Sequence, residues 1–173
     1  MRSVLRVLSI VAAAYCALAG GTAADPAQAA QIVRFKEGSA GTIVVKTSQR
    51  RLYYVLGDGR AVVYPVGVGR SGKQWYGTTR ITGKYIKPDW SPPADVRRDN
   101  PRLPKLIKGG TPRNPMGAAA LTLSGGGQYA IHGTNVPGSI GGYVSYGCIR
   151  MFNRDVLDLY SRVSFGTRVT VTR

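Results

Sequence analysis

Histidine and cysteine are nearly absent from this 173-residue chain: it has one His, His132, and two Cys, Cys16 and Cys148. That scarcity excludes a His/Cys zinc site with the usual four ligands and limits disulfides to one. Acidic residues are also few, 8 against 24 Lys and Arg, giving a formal net charge of +16. On that ground alone the partner is anionic: nucleic acid, acidic lipid or an envelope polymer. No apolar run is long enough to anchor the chain stably across a bilayer. The length leaves little room for a second core. What is plentiful decides the broad class. A hydrophobic content of 43% is too high for a disordered chain, and 23 Gly with 10 Pro require many turns. Together they point to a mostly β, single-domain fold.

The first thirty residues read as a signal peptide. Arg2 and Arg6 precede an apolar, Ala-rich stretch from Val7 to Ala19, and both Ala17-Leu18-Ala19 and Ala27-Gln28-Ala29 fit a small-residue cleavage pattern. Tyr15, where a small residue is expected before a lipidated Cys, argues against a lipoprotein. The domain reading is therefore 1–30 signal peptide, 31–40 short tether and 41–173 folded domain. Cleavage near Ala30 leaves 22 basic and 7 acidic residues, a net +15, and removes Cys16. Cys148 then has no internal disulfide partner. An exported protein meets envelope polymers before it meets DNA, so nucleic acid is not the expected partner.

The pattern from Gly41 to Gly69 predicts a β-meander. Thr42-Ile43-Val44-Val45 is β-branched, Leu52 to Leu56 follows a turn, and Gly57-Asp58-Gly59 is a hairpin loop. Val62, Tyr64, Val66 and Val68 alternate towards one buried face. Further strands are predicted at 79–82, 121–123 and 129–132. Residues 87–115 are rich in Pro and Arg and too long for an ordinary connection, so they read as a binding loop or lid. One helix is predicted after Cys148, with Asn153 as N-cap and Val156, Leu157, Tyr160 and Val163 on its inner face. The alternation from Arg168 to Thr172 predicts a last strand that closes the sheet.

His132 and Cys148 lie 16 residues apart, each in a Gly-rich setting where strands give way to turns. Catalytic groups gather at such places on a rigid scaffold. A thiol is weak at its free pKa, and a nearby imidazole can generate the thiolate. Gly147 would let a substrate carbonyl come close to the backbone, where the N–H groups of Tyr146, Gly147 and Cys148 can stabilise an oxyanion. No carboxylate presents itself as a third member, and a backbone carbonyl near His132 can orient the ring instead.

The segments Ile131-His132-Gly133-Thr134-Asn135-Val136-Pro137-Gly138 and Ser145-Tyr146-Gly147-Cys148-Ile149-Arg150-Met151, followed by Asn153-Arg154-Asp155-Val156, resemble the L,D-transpeptidase family with the YkuD-type catalytic domain. Tyr64-Pro65-Val66-Gly67-Val68-Gly69, Trp90-Ser91-Pro92-Pro93 and Asn114-Pro115-Met116-Gly117-Ala118 are also similar to its pattern, so the resemblance spans about Gly41 to Arg173. It implies a mostly β sandwich with a short helix after the Cys. Cys148 would be the nucleophile on a peptidoglycan stem peptide, His132 the base, and the Gly133 carbonyl the group orienting His132. It further implies no cofactor and no metal, an anionic cell-wall partner, a periplasmic or cell-wall location, sensitivity to carbapenems, and no stable membrane anchor after signal cleavage. Arg150, matching the family's Arg after the Cys, is a candidate for a substrate carboxylate, with Ser145, Asn135 and Trp90 as further substrate-binding candidates. Tyr146 departs from the pattern, standing where the family usually has His. A phenol there is expected to keep the positioning role with an altered pH dependence.

Other classes fit less well. A non-catalytic peptidoglycan-binding module would not need both motif residues. Sortase-like enzymes place the His much further from the Cys, and papain-like and NlpC-type enzymes place the Cys first. Within the family, water or an envelope protein can replace the acceptor stem, which the sequence does not distinguish.

Overall fold

A computed structural model describes residues 31–125 and 128–173. The signal peptide read at residues 1–30 lies outside them, as do Gly126 and Gly127, between the strands predicted at 121–123 and 129–132. The strands are β1 (Gln31–Arg34), β2 (Ile43–Lys46), β3 (Arg51–Gly57), β4 (Arg60–Pro65), β5 (Val68–Gly69), β6 (Gly77–Ile86), β7 (Ala119–Leu123), β8 (Ala130–His132), β9 (Tyr143–Ser145), β10 (Ile149–Arg150) and β11 (Arg168–Thr172). The helices are α1 (Ala94–Asp99) and α2 (Asn153–Arg162), with one 3-10 turn at Pro137–Ser139. Hydrogen bonding runs continuously through β1-β4-β3-β2-β11-β6-β7-β8-β10, and β5 pairs with β9 separately.

The long strand β6 converts this ladder into a two-layered fold. Gly77 to Arg80 pair with β11, whereas Ile81 to Ile86 pair with β7, and the register slips between Ile81 and Gly83. An extra residue on one strand bends it and increases its twist. The two halves of β6 thereby belong to two sheets, whose inner faces supply Ile43, Val45, Leu52 and Tyr64 from one side and Leu121, Ile131 and Ile149 from the other. α2 seals this core with Val156 and Leu159, both fully buried, and packs on β7 and β8. The fold is thus mostly β, as the composition implies.

Several details differ from the sequence reading. Gln31–Arg34 are not tether but an edge strand, antiparallel to β4, covering backbone groups that β4 would otherwise expose. β11 does not close the sheet. It lies inside it, parallel to β2 and antiparallel to β6, with Val169 and Val171 buried. α1 is a second helix, formed inside the 87–115 segment. α2 begins at Asn153, and the Phe152 position that precedes it offers no side-chain cap. The inner face of α2 carries Leu159 rather than Leu157, which is 42% exposed. Leu159 sits three residues after Val156 and four before Val163, the spacing that keeps one side of a helix in register. Replacing Leu159 by Ala should cost about 2–5 kcal/mol of unfolding free energy in a denaturant titration. Leu157→Ala should stay within about 0.5 kcal/mol of the parent protein.

Candidate active site

Two short strands bring the rare residues together. β10 pairs in parallel with β8, with Ile149 opposite Ile131 and Arg150 opposite His132. In that register Cys148, one residue before β10, faces the start of β8, and its thiol is hydrogen-bonded by the Ala130 backbone N–H. β10 is held from its other side by Gly67, whose N–H donates to the Arg150 carbonyl at 2.9 Å and whose carbonyl accepts from the Arg150 N–H at 2.8 Å.

His132 is 4% exposed, and its Nδ1 lies 2.7 Å from the Gly133 carbonyl. A carbonyl can only accept, so Nδ1 carries the hydrogen and Nε2 keeps a free lone pair. Burial lowers the ring's pKa from 6.5 to about 4, and the Arg150 charge pushes the same way. The Gly133 and Pro115 carbonyls oppose the shift only in part. At neutral pH the imidazole is uncharged and able to accept a proton. The Cys148 thiol is pushed up, chiefly by burial. The Ala130 N–H and Arg150 offset this in part. Both members of the pair therefore rest neutral. The thiol donates to the Gln128 carbonyl at 3.8 Å rather than to His132.

The cleft has a volume of about 430 Å3 and is lined by His132, Cys148 and Arg150, with walls from Trp90, α1, Pro115, Met116 and Tyr129. Arg150 is half-buried, and among the described residues no acidic side chain pairs with it. Its backbone is fixed by Gly67, leaving the guanidinium as a desolvated cation beside the thiol. Trp75 stacks on Tyr129 at 5.0 Å and donates its indole N–H to the Gly147 carbonyl at 2.8 Å. Gly147 has φ +121°, and a Cβ there would stand 2.3 Å from the Tyr129 ring. This is the close approach that Gly at this position permits.

Three sequence expectations are revised. The Gly147 N–H is already taken by Ser145 Oγ at 3.0 Å, so it is not a spare oxyanion donor here. Ser145 is 1% exposed, and its hydroxyl also donates to the Cys148 carbonyl at 2.6 Å. It is committed to shaping the turn that carries Cys148 and has little left for a substrate. Asn135 is exposed, donates to the Pro112 carbonyl at 3.2 Å and does not line the cleft. The Tyr146 side chain lies at the cleft mouth and donates to Asp99 Oδ2 at 2.7 Å. Trp90 does line the cleft.

Asn153, read from the sequence as a helix cap, has another function. Its Oδ1 accepts from the N–H groups of Ala118 and Thr134, and its Nδ2 donates to the Thr134 carbonyl, all at 3.0 Å. A Cβ on Gly133 or Gly117 would lie within 2.3 Å of that Oδ1. Asn153 therefore locks the backbone immediately after His132. Asn114, 2% exposed, similarly ties the Pro88 and Ile107 carbonyls at the base of the 87–115 loop. Both lie in segments that carried the family resemblance, which was the available signal for them.

The sequence model of the L,D-transpeptidase catalytic domain (YkuD) matches residues 40–171. The chain belongs to the L,D-transpeptidase family. A probable L,D-transpeptidase, YbiS, of Escherichia coli K12 is 40% identical over 136 residues, 73% of this chain and 43% of that protein. The chain thus matches less than half the length of this relative. L,D-transpeptidase 3 from Mycobacterium tuberculosis superposes with a TM-score of 0.61 at 19% identity, covering 80% of this chain and 63% of the other, which shows the shared fold. A Brucella melitensis structure named as a probable carnitine operon oxidoreductase is 38% identical, with a TM-score of 0.56 over 86% of this chain and 96% of its own. In this member of the family the dyad rests neutral, and the ring's low pKa is linked to stability. Unfolding returns His132 to an ordinary pKa, so the unfolded chain binds more protons between pH 6.5 and about 4. Stability should fall as pH drops through that window, by up to roughly 3 kcal/mol. Denaturant titrations at several pH values should show this loss, and a His132→Asn variant should lack it.

Proposed function

We propose that the protein is a peptidoglycan L,D-transpeptidase in which Cys148 is the nucleophile and His132 the general base. The observation that carries this reading is the placement of a neutral, carbonyl-oriented imidazole and the sole described thiol in one cleft, beside an unpaired guanidinium. As Cys148 Sγ bonds the carbonyl carbon between the L-centre of a diamino acid and D-Ala, His132 Nε2 takes the thiol proton. It returns the proton to the nitrogen of the departing D-Ala, leaving a thioester. An acceptor amine then attacks that thioester, its proton passes to His132, and the thiolate leaves and regains a hydrogen. Because both groups start neutral, proton transfer accompanies the attack rather than preceding it. The Ala130 N–H and the Arg150 cation favour the thiolate as it forms.

Arg150 holds a carboxylate of the stem peptide, since a half-buried cation without a partner gains most from an anionic ligand. With the Gly147 N–H engaged, the N–H groups of Tyr146 and Cys148 are the donors aimed at the oxyanion. The leader at residues 1–30 sends the protein to the periplasm or cell wall, and carbapenems acylate Cys148. No Asp or Glu occurs between residues 100 and 154, and Arg97, Arg98, Arg102, Lys105, Lys108 and Arg113 are all exposed. That basic rim suits an anionic wall.

Incubating the protein with purified tetrapeptide muropeptides and reading product masses tests the proposal. A cross-linked dimer that has lost D-Ala is the expected product, whereas a free tripeptide would mean that water is the acceptor. No change beside an active control overturns the enzyme reading. Cys148→Ala should abolish product, and Arg150→Ala should lower kcat/KM roughly 10- to 150-fold, the range for losing a charged hydrogen bond.

A further inference from the structure

The helix α1 forms one wall of the cleft through Ala94, Asp95 and Val96, yet none of its residues is buried and no side chain caps its start. A six-residue helix is not stable on its own. Its polar ties to the rest of the domain run through its two carboxylates. Asp95 pairs with Lys73. Asp99 Oδ2 accepts from Arg70 Nη2 and from the Tyr146 hydroxyl, each at 2.7 Å. The Arg70 guanidinium also lies 4.1 Å from the centre of the Tyr146 ring, so the three side chains form a closed set.

The other side of this set is rigid. The Arg70 N–H donates to the Ser145 carbonyl at 2.9 Å, and β5 pairs with β9 immediately before Tyr146. Gly69 leaves no space beneath the turn, since a Cβ there would lie 2.5 Å from the Lys73 carbonyl. A weakly supported wall is thus tied to the turn that carries the nucleophile, and the tie uses the one side chain that departs from the family motif. Asp99 is held below the usual carboxylate range, first by the Tyr146 hydrogen bond and then by Arg70, and so stays an ionised acceptor.

We propose that Tyr146, acting through Asp99 and Arg70, is a positioning residue that fixes the α1 wall of the cleft and thereby sets how tightly the donor peptide is held. The second half of this statement rests on the transpeptidase reading above. The first half does not. Tyr146→Phe keeps the ring under Arg70 and removes only the hydroxyl, and Asp99→Asn removes the charge. Both sites are at the surface, so both variants should fold. Amide exchange over residues 94–99 should rise about tenfold in each, with the β-sheet amides unchanged. KM for the tetrapeptide should rise about five- to tenfold while kcat stays within about twofold. The double variant should fall short of the sum of the two single effects, because both changes weaken contacts to the same Asp99 oxygen. Unchanged exchange over 94–99 overturns the latch. Faster exchange without a change in KM overturns its part in holding the peptide. If the parent protein is inert towards the peptide, the transpeptidase reading falls, and the exchange measurement still decides the latch.

Discussion

The parallel pairing of β10 with β8 is the interaction on which the site depends. It joins only two residues on each strand, yet it places Arg150 beside His132 and Cys148 beside Ala130. A parallel ladder this short is weak by itself. It survives because Gly67 bonds the far edge of β10 twice, Asn153 locks the backbone after His132, and Ile131 and Ile149 are buried beneath it. The placement of His132 and Cys148 is in this sense a by-product of edge satisfaction: the backbone on either side of the β8–β10 ladder is held by Gly67 and Asn153.

Burial then sets the chemistry. The same desolvation lowers the imidazole's pKa and raises the thiol's, so it favours the uncharged form of both. Arg150 works on the pair with opposite consequences, disfavouring imidazolium and favouring thiolate. Among the described residues no carboxylate acts on His132 to restore its charge, and a backbone carbonyl orients the ring without charging it. His132 is thereby left as an uncharged proton acceptor at neutral pH.

The walls of the cleft come from two differently supported sources. Trp75 and Tyr129 stack beside the turn that carries Cys148 and pack against the core. The 87–115 loop is secured at its base by Asn114 but at its tip by exposed ionic contacts. Solvent competes with contacts of that kind, so the outer wall is the adaptable one.

The sequence by itself determined the mostly β class, the segments of most strands, the pairing of His132 with Cys148 and the candidacy of Arg150, because these follow from alternation, rarity and local motif. Periodicity placed the last helix and most of its inner face but chose Leu157 where Leu159 is buried, since the two are equally apolar and only packing on β7 and β8 decides between them. Tertiary structure alone decided the roles of the small polar side chains. Ser145, Asn135, Asn153 and Tyr146 can each serve a turn, a cap, a substrate or a distant carbonyl. Their partners lie between 2 and 47 residues away along the chain. Which partner wins is set by how the bent β6 and the β8–β10 crossover bring remote backbone together, and that information is carried by no single stretch of sequence.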